Sequence, residues 1–304
     1  MRQHDTRSDQ RLFLRTVELG AIRSVARETG AEPSSVSRRL TALEARLGAK
    51  LLDRAQGRTR PTEAGMRYYE GLRALVAQMD ALEADVAGEA DRPRGLLRVN
   101  ATIDFGQRFV ARWLFDFRAL HPEVEVELAL SARNVDLTAT GTDIAIRVGE
   151  LPDSSLVARR LATVPRVLAG APDYLRRAGW PPTPADLARL DHVFFLPENR
   201  HTPLRLTGPD GTRHEIARKG GVTVNAVTSV VEAVRAGFGI SSGPRWAFHE
   251  ALAAGDVVEL LPDFTHEAPP LSAVRAPSVI VPARIRAFTE FAAGAVRAVP
   301  GLAF

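Results

Sequence analysis

Between residues 68 and 86 the side chains of Tyr68, Leu72, Leu75, Met79, Leu82 and Val86 recur at spacings of 4, 3, 4, 3 and 4. So narrow an apolar stripe, kept up for almost three heptads, suits a helix that pairs with another along one seam better than one that lies on a broad core. It predicts a long helix, a self-associating chain, and a protein divided on either side of that helix. Charge divides in the same places. Residues 1–62 carry 13 Lys/Arg against 7 Asp/Glu, residues 63–91 carry 2 against 7, and residues 92–304 carry 25 against 22. A small basic head, an acidic stalk and a near-neutral bulk are expected where only the head meets a polyanion.

The head reads as helices. Ser8 is placed to cap a first helix whose apolar face is Leu12, Phe13 and Val17, and Gly20 ends it. A second short helix, 24–29, stops at Gly30. Pro33 then opens a third, since proline is tolerated in a first turn, and Val36, Leu40, Leu43 and Leu47 mark its buried face. The opposite face carries Ser34, Arg38 and Thr41, flanked by Ser37 and Arg39. Two helices joined by a tight glycine turn, the second presenting hydroxyls and arginines outward, fit a helix-turn-helix whose second helix enters the major groove. Arginine can pair bidentately with guanine, and serine and threonine can reach phosphates or base edges. Arg54, Arg58 and Arg60 follow in a loop-like stretch that reads as a wing against the phosphate backbone. The heptad stripe complements this, because one recognition helix reads few base pairs whereas a twofold pair reads a palindrome. Residues 87–95, with Pro93 and Gly95, read as a hinge.

Catalysis finds no support in the remaining residues. There is no cysteine, hence no disulfide, thiolate metal site or catalytic thiol, and nothing points to an oxidising compartment. The seven histidines show no HExxH spacing, and no Gly-x-Ser-x-Gly elbow occurs. Gly237-Phe238-Gly239 follows a helix and its next glycine is Gly243, so the dinucleotide fingerprint fails in context and spacing. Glu123 and Glu125 alternate with valines, as on the solvent face of a strand. No enzyme, metal or cofactor is therefore expected. No apolar run approaches the roughly 18 residues of a membrane span, so no membrane partner is expected and the cytoplasm is the expected location.

Residues 92–304 alternate two periodicities. Strands are expected at 97–101, 124–130, 143–148, 157–161, 166–169, 192–195, 222–225 and 272–275. Helices are expected at 107–120, 135–140, 172–178, 184–190, 226–236, 246–253 and 282–296. Such alternation implies α/β architecture with parallel sheets covered by helices.

At this point a family resemblance emerges. VELGAIRSVARETGAEPSSVSRRLTALEARLGAKLLDRAQGRTRPTEAGMRYYEGL, starting at Val17, resembles the DNA-binding head of LysR-type transcriptional regulators. DLTATGTDIAIRVGELPDSSLVARRL, TPADLARLDH and RAGFGIS are similar to that family's effector domain, so the likeness spans essentially the whole chain. It implies a winged helix-turn-helix at 1–65, a linker helix at 66–91 that forms the dimer, and a two-lobed, periplasmic-binding-protein-like effector domain at 92–304. Lobe I would hold 92–161 and 263–304, and lobe II 162–262. The partners implied are double-stranded promoter DNA, a small-molecule effector and further copies of the chain, as a dimer and then a tetramer. Carried over by residue, the DNA contacts fall on Pro33, Ser34, Ser37, Arg38, Arg58 and Arg60, beside Arg39 and Thr41 of the same helix. Two departures stand out. Gly20-Ala21-Ile22-Arg23 replaces the common Gly-Ser-Phe-Thr, removing a hydroxyl cap, and Pro33 replaces the common glutamine, removing one amide-to-base contact.

The effector is expected between the lobes, outside the carboxyl ends of the strands. Thr102 and Phe105 follow the first strand into a helix, and Asn225 and Thr228 follow a later one in the same way. Both places offer helix N–H groups to an anion, with Arg147 and Pro197 expected nearby. Asp104, next to one of them, argues against simply assuming a carboxylate ligand. The bulk alone would equally permit a solute-binding protein with an unrelated helical N-terminal extension.

Overall fold

The structure is a computed structural model that describes residues 6–55, 58–86, 91–132, 136–137, 140–150, 155–196 and 201–304. The head consists of α1 (Thr6–Leu19), α2 (Ile22–Thr29), α3 (Pro33–Leu47) and an antiparallel pair, β1 (Leu52–Ala55) and β2 (Arg58–Pro61). Gly20, Gly30 and Gly48 end the three helices at φ values of 65°, 64° and 64°, a left-handed conformation that glycine adopts without steric cost. Val25, Val36, Leu40 and Leu43 pack with Leu12, Phe13, Leu51 and Leu52 into one core. The hydroxyl cap missing from the sequence is missing here too: Ala21 holds the extended cap conformation of α2 with no side-chain hydrogen bond. Three head expectations change. Ser8 lies inside α1, where its Oγ accepts from Arg39, and does not cap it. Leu47 is 41% exposed, because α3 outruns the helices it packs on. The wing is a hairpin rather than a loop, with Thr59 buried between exposed Arg58 and Arg60.

α4 (Glu63–Val86) leaves the wing through a built junction. The Thr62 hydroxyl donates to the Lys50 carbonyl and accepts from the Gly65 amide at 3.0 Å, while a Cβ on Gly65 would stand 1.9 Å from the Leu51 carbonyl oxygen. The Thr62-Glu63-Ala64-Gly65 sequence thus caps α4 and lets it approach the backbone of the head. The six-residue stripe splits. Tyr68 and Leu72 join the head's own core, whereas Leu75 (60% exposed), Met79 (46%), Leu82 (48%) and Val86 (81%) remain open along one side.

Two five-stranded sheets follow, and both are mixed rather than all parallel. In lobe I, β3 (Gly95–Ala101) runs into a continuous helix made of α5 (Ile103–Phe105), a π-helical turn (Gly106–Val110) and α6 (Ala111–Leu120). β4 (Val124–Leu130), β5 (Ile144–Val148) and β6 (Val157–Thr163) come next. Of the helix expected at 135–140 only residues 136, 137 and 140 are described, and there one turn closes from the Thr140 amide to the Asp136 carbonyl. β6 runs two residues beyond the strand end expected at 161, so the chain passes to lobe II at Val164 and Pro165. Lobe II comprises β7 (Arg166–Gly170), α7 (Pro172–Ala178), a 3-10 turn (Pro184–Arg189) and β8 (Asp191–Phe195). It continues with a hairpin of β9 (Leu204–Thr207) and β10 (Arg213–Ile216), then β11 (Lys219–Val224), α8 (Val227–Arg235), β12 (Ile240–Pro244), α9 (Arg245–Ala254) and β13 (Val258–Glu259). The chain then returns to lobe I for β14 (Pro270–Arg275) and α10 (Ala283–Ala295). Strand orders are β4-β3-β5-β14-β6 and β11-β8-β12-β7-β13. In each sheet the reversed strand is the one by which the chain enters the lobe: β14 is antiparallel to β5 and β6, and β7 to β12 and β13. A strand that arrives directly from the other lobe has no helical crossover to set it parallel to its neighbours.

Candidate nucleic-acid interface and inter-lobe cleft

The outward side of α3 is exposed at Pro33, Ser34, Arg38 and Thr41, with Ser37 half-buried. Arg54 of β1 reaches across to this helix, donating to Ser37 Oγ at 2.8 Å, to Thr41 Oγ1 at 3.3 Å and to Glu44 Oε2 at 3.2 Å. The other Glu44 oxygen accepts the amides of Leu51 and Leu52 at 2.8 and 2.9 Å, so Glu44 fixes the wing to the recognition helix. Arg39 turns the other way. It donates to the buried Asp9 at 2.6 Å and to Ser8 at 2.6 Å, binding α3 to α1, and the geometry gives it a role inside the head rather than on DNA. Arg38, Arg58 and Arg60 are exposed and their side chains make no hydrogen bond or ion pair among the described residues, and the same holds for Arg23 and Arg27 of α2. By contrast Arg7, Arg11, Arg15, Arg39 and Arg54 are all held by carboxylates. Sequence reasoning missed Arg23 and Arg27, although both are visible as basic residues on an exposed helix.

Between the lobes lie two adjoining chambers. The first, about 250 Å³, is lined on the lobe I side by Thr102, Phe105 and Val148 and on the lobe II side by Phe195, Asn225 and Trp246, among others. Phe105 is 1% exposed and forms its floor, its ring 5.0 Å from Phe109 and 5.6 Å from Trp246. Thr102 and Asn225 are where the sequence put them. Arg147 is not: it lines neither chamber, because strand alternation on β5 turns Val148 toward the cleft and Arg147 away from it. Its guanidinium is buried, donating to Asn100 Oδ1 at 2.6 Å, and burial lowers its pKa. Pro197 lies outside the described residues.

Thr228 is likewise absent from the chamber walls, and the reason corrects the expected anion site. The Asp104 carboxylate reaches from lobe I to the N-terminus of α8 in lobe II. It accepts the Val227 amide at 3.0 Å, the Thr228 amide at 3.1 Å and the Thr228 hydroxyl at 3.1 Å. The positive end of α8 is therefore already neutralised by the protein's own anion.

The second chamber, about 350 Å³, shares Arg166, Phe195, Ser242 and Pro269 with the first. None of its polar groups was singled out from the sequence, because they sit singly at strand ends and on the return crossover. Arg166 opens β7; it donates to the Ser242 carbonyl at 2.7 Å and to Ser242 Oγ at 3.3 Å. His266 Nδ1 lies 3.1 Å from the same hydroxyl. Burial, and then the adjacent Arg166, pull His266 down to about 4. Arg218, held by the Thr202 carbonyl, stacks over Phe194 at 5.2 Å. A larger cavity of about 710 Å³ lies between α1, α4 and lobe I; ion pairs such as Arg15–Glu18 and Arg98–Glu18 line it, marking a domain junction rather than a ligand chamber. Among the described residues no cluster of side chains could hold a metal, and no helix is long and apolar enough to cross a membrane.

Comparison with known proteins agrees with this geometry. Residues 8–66 match the model for bacterial regulatory helix-turn-helix proteins of the lysR family, and residues 90–297 match the LysR substrate binding domain. The HTH-type transcriptional regulator YhjC of Escherichia coli is 32% identical over 287 residues, covering 94% of this chain and 96% of its own. An HTH-type transcriptional repressor of Pseudomonas aeruginosa is 30% identical, covering 92% and 88%. The full-length structure of AphB, a Vibrio cholerae virulence activator, superposes with a TM-score of 0.59 at 27% identity, covering 94% of this chain and 98% of that one.

Proposed function

Since the chain belongs to the LysR family of transcriptional regulators, which bind DNA and small-molecule effectors, form oligomers and are not enzymes, we propose how its residues divide that work. Residues 1–65 bind DNA, 66–91 link and dimerise, and 92–304 sense the effector, with lobe I at 92–161 and 263–304 and lobe II at 162–262. Pro33, Ser34, Ser37, Arg38 and Thr41 face the major groove, with Arg38 reading a base edge. Arg58 and Arg60 contact phosphate from the wing, and Arg23 and Arg27 do so from α2. The observation that carries this reading is the pairing pattern: the arginines aimed outward from α2, α3 and the wing are those without carboxylate partners among the described residues. A cation destined for phosphate is left free until it gets there.

Leu75, Met79, Leu82 and Val86 form the dimer seam, and two dimers make the tetramer. The effector sits between the lobes over Phe105, touching Thr102 and Asn225, and shifts the lobes so that the paired heads are repositioned on promoter DNA. The protein works in the cytoplasm. A solute-binding protein with an unrelated helical extension is not favoured, because the head matches the same family as the lobes. Genome-wide immunoprecipitation should recover discrete promoter fragments, and the Leu75→Asp, Met79→Asp double variant should sediment as a smaller species that binds those fragments less tightly. Recovery spread evenly over the genome would overturn the regulator, and an unchanged assembly would remove the seam.

A further inference from the structure

We propose that the effector is an amphipathic carboxylate, its carboxylate seated on the Arg166 guanidinium where the two inter-lobe chambers meet, with an oxygen left to accept from the Trp246 indole N–H, and its apolar body against Phe195 and Phe105. This rests on the cleft being the effector site, and adds the chemical class of the ligand and the residue that recognises it.

Three observations converge. First, Arg166 is half-buried on the hinge side of the cleft and lines both chambers, yet no carboxylate among the described residues pairs with it; its donors go to Ser242 alone. A guanidinium has five donors and stays charged, so a buried one bonded only to a hydroxyl and a carbonyl has both charge and donors in reserve. Second, Trp246 lines the 250 Å³ chamber, and its indole Nε1 is buried with no hydrogen-bond partner among the described residues. An orphan donor of this kind is costly unless an acceptor arrives. Third, most of the remaining lining is apolar, with Ile103, Val164, Val227 and Val230 beside the aromatic floor; of the polar residues Thr102, Asn225, Ser242 and Asp104, the one carboxylate is already engaged by the first turn of α8. A strongly hydrated anion such as phosphate would gain nothing from those walls, whereas a carboxylate on a hydrocarbon body satisfies both parts.

The charges around Arg166 fit one such group. Glu150 and Glu267 stand at the rim of the outer chamber, while Arg205 there is paired with Glu215. Burial, and then the neighbouring Arg218, lower the pKa of Arg166, and burial holds His266 down to about 4, so Arg166 is the group that meets an anion where the chambers join. The seat also lies where both crossovers pass, next to Val164 and Pro165 on one strand of chain and Pro269 on the other. A ligand held there bears directly on the relation between the lobes.

The test uses the full-length protein and cyclohexanecarboxylate as probe, with cyclohexanecarboxamide as its neutral isostere, read by isothermal titration and thermal unfolding. The acid should bind saturably and raise Tm, and the amide should bind about tenfold or more weakly. Arg166→Gln should lose a similar factor for the acid alone, Arg166→Lys should recover part of it because it keeps charge without the fork, and Trp246→Phe should weaken both compounds. If acid and amide bind alike, if neither binds, or if Arg166→Gln binds the acid as the unmodified protein does, the inference is overturned. The acid–amide comparison needs no variant to fold. It also needs no DNA: absent duplex affinity would sink the regulator and leave the carboxylate seat standing, while equal binding of the two probes would do the reverse.

Discussion

Replacing Asp104 with asparagine should loosen the two lobes without unfolding either. The carboxylate accepts three hydrogen bonds from the first turn of α8, two from amides and one from the Thr228 hydroxyl, and it does so across the cleft while 9% exposed. A hydrogen bond to a charged group contributes about 1.5–3 kcal/mol, against about 0.5–1.5 for a neutral pair. Asparagine keeps one acceptor oxygen but turns its NH2 toward amides that themselves donate, and it removes the charge that offsets the helix dipole. The net loss to the inter-lobe contact is about 2–3 kcal/mol, which shifts the ratio of apposed to separated lobes by a factor of roughly 30 to 150. Two crossovers and the Phe105–Trp246 contact keep the lobes tethered. Small-angle scattering should therefore report a larger radius of gyration, and the urea midpoint should fall. A cycle with Thr228→Val should show coupling of about 1 kcal/mol or more. Stability within about 0.5 kcal/mol of the unmodified chain, together with an unchanged radius, would refute the claim that Asp104 clasps α8.

Three other changes probe separate parts. Arg38→Ala should weaken operator binding and relax preference at one base position, while Arg60→Ala should weaken binding to all duplexes and reduce the slope of log K against log salt by about 0.9; equal losses on operator and random DNA for Arg38→Ala would remove it as a base reader. Ala21→Ser should add about 0.5–1 kcal/mol to the stability of the head, because the position already holds the extended conformation of a cap at φ −155° and ψ 129°; an unchanged unfolding midpoint would show that the bare amides are satisfied otherwise. His192 is buried, with Nε2 3.1 Å from the Leu187 carbonyl, and burial lowers it from 6.5 to about 4. The unfolded chain then binds the proton first, so this group's contribution is full above its unfolded value and declines as pH falls toward the folded one. Between neutrality and pH 5 it should cost about 2 kcal/mol, and a His192→Gln variant should lack that part of the slope in urea titrations at the two pH values.

What the sequence made legible follows from which signals are periodic. The buried faces of α1 and, as far as Leu43, of α3, the glycine stops and eight of the strands of the effector domain announce themselves through spacing, and these are present. Errors arose where one signal served two ends. Tyr68 and Leu72 continue the heptad of Leu75 and Met79, but the head needs them for its own core, and spacing cannot say which neighbour claims a residue. Ser8 looks like a cap because serine often is one, yet Arg39 recruits it inside the helix. β12, with the sequence Ile-Ser-Ser-Gly-Pro, lacks β-branched alternation because it is central and closely packed, so spacing gives no strand there. In the cleft, Thr102 and Asn225 follow strands and were found by position, whereas Thr228 was claimed by Asp104 from the other lobe, a contact 124 residues apart in the chain. Arg166, Ser242 and His266 come from two strands and a crossover, and only folding gathers them.

The position of β14 has a consequence for how the molecule is made. It lies between β5 and β6, so until residues 270–275 leave the ribosome β5 has one edge open and β6 has no partner. Lobe II is continuous from Arg166 to Glu259 and can close its sheet while that edge stays open. The nascent chain should thus protect lobe II from protease before lobe I, and a chain stalled short of β14 should expose an unpaired strand edge to aggregation and to chaperones.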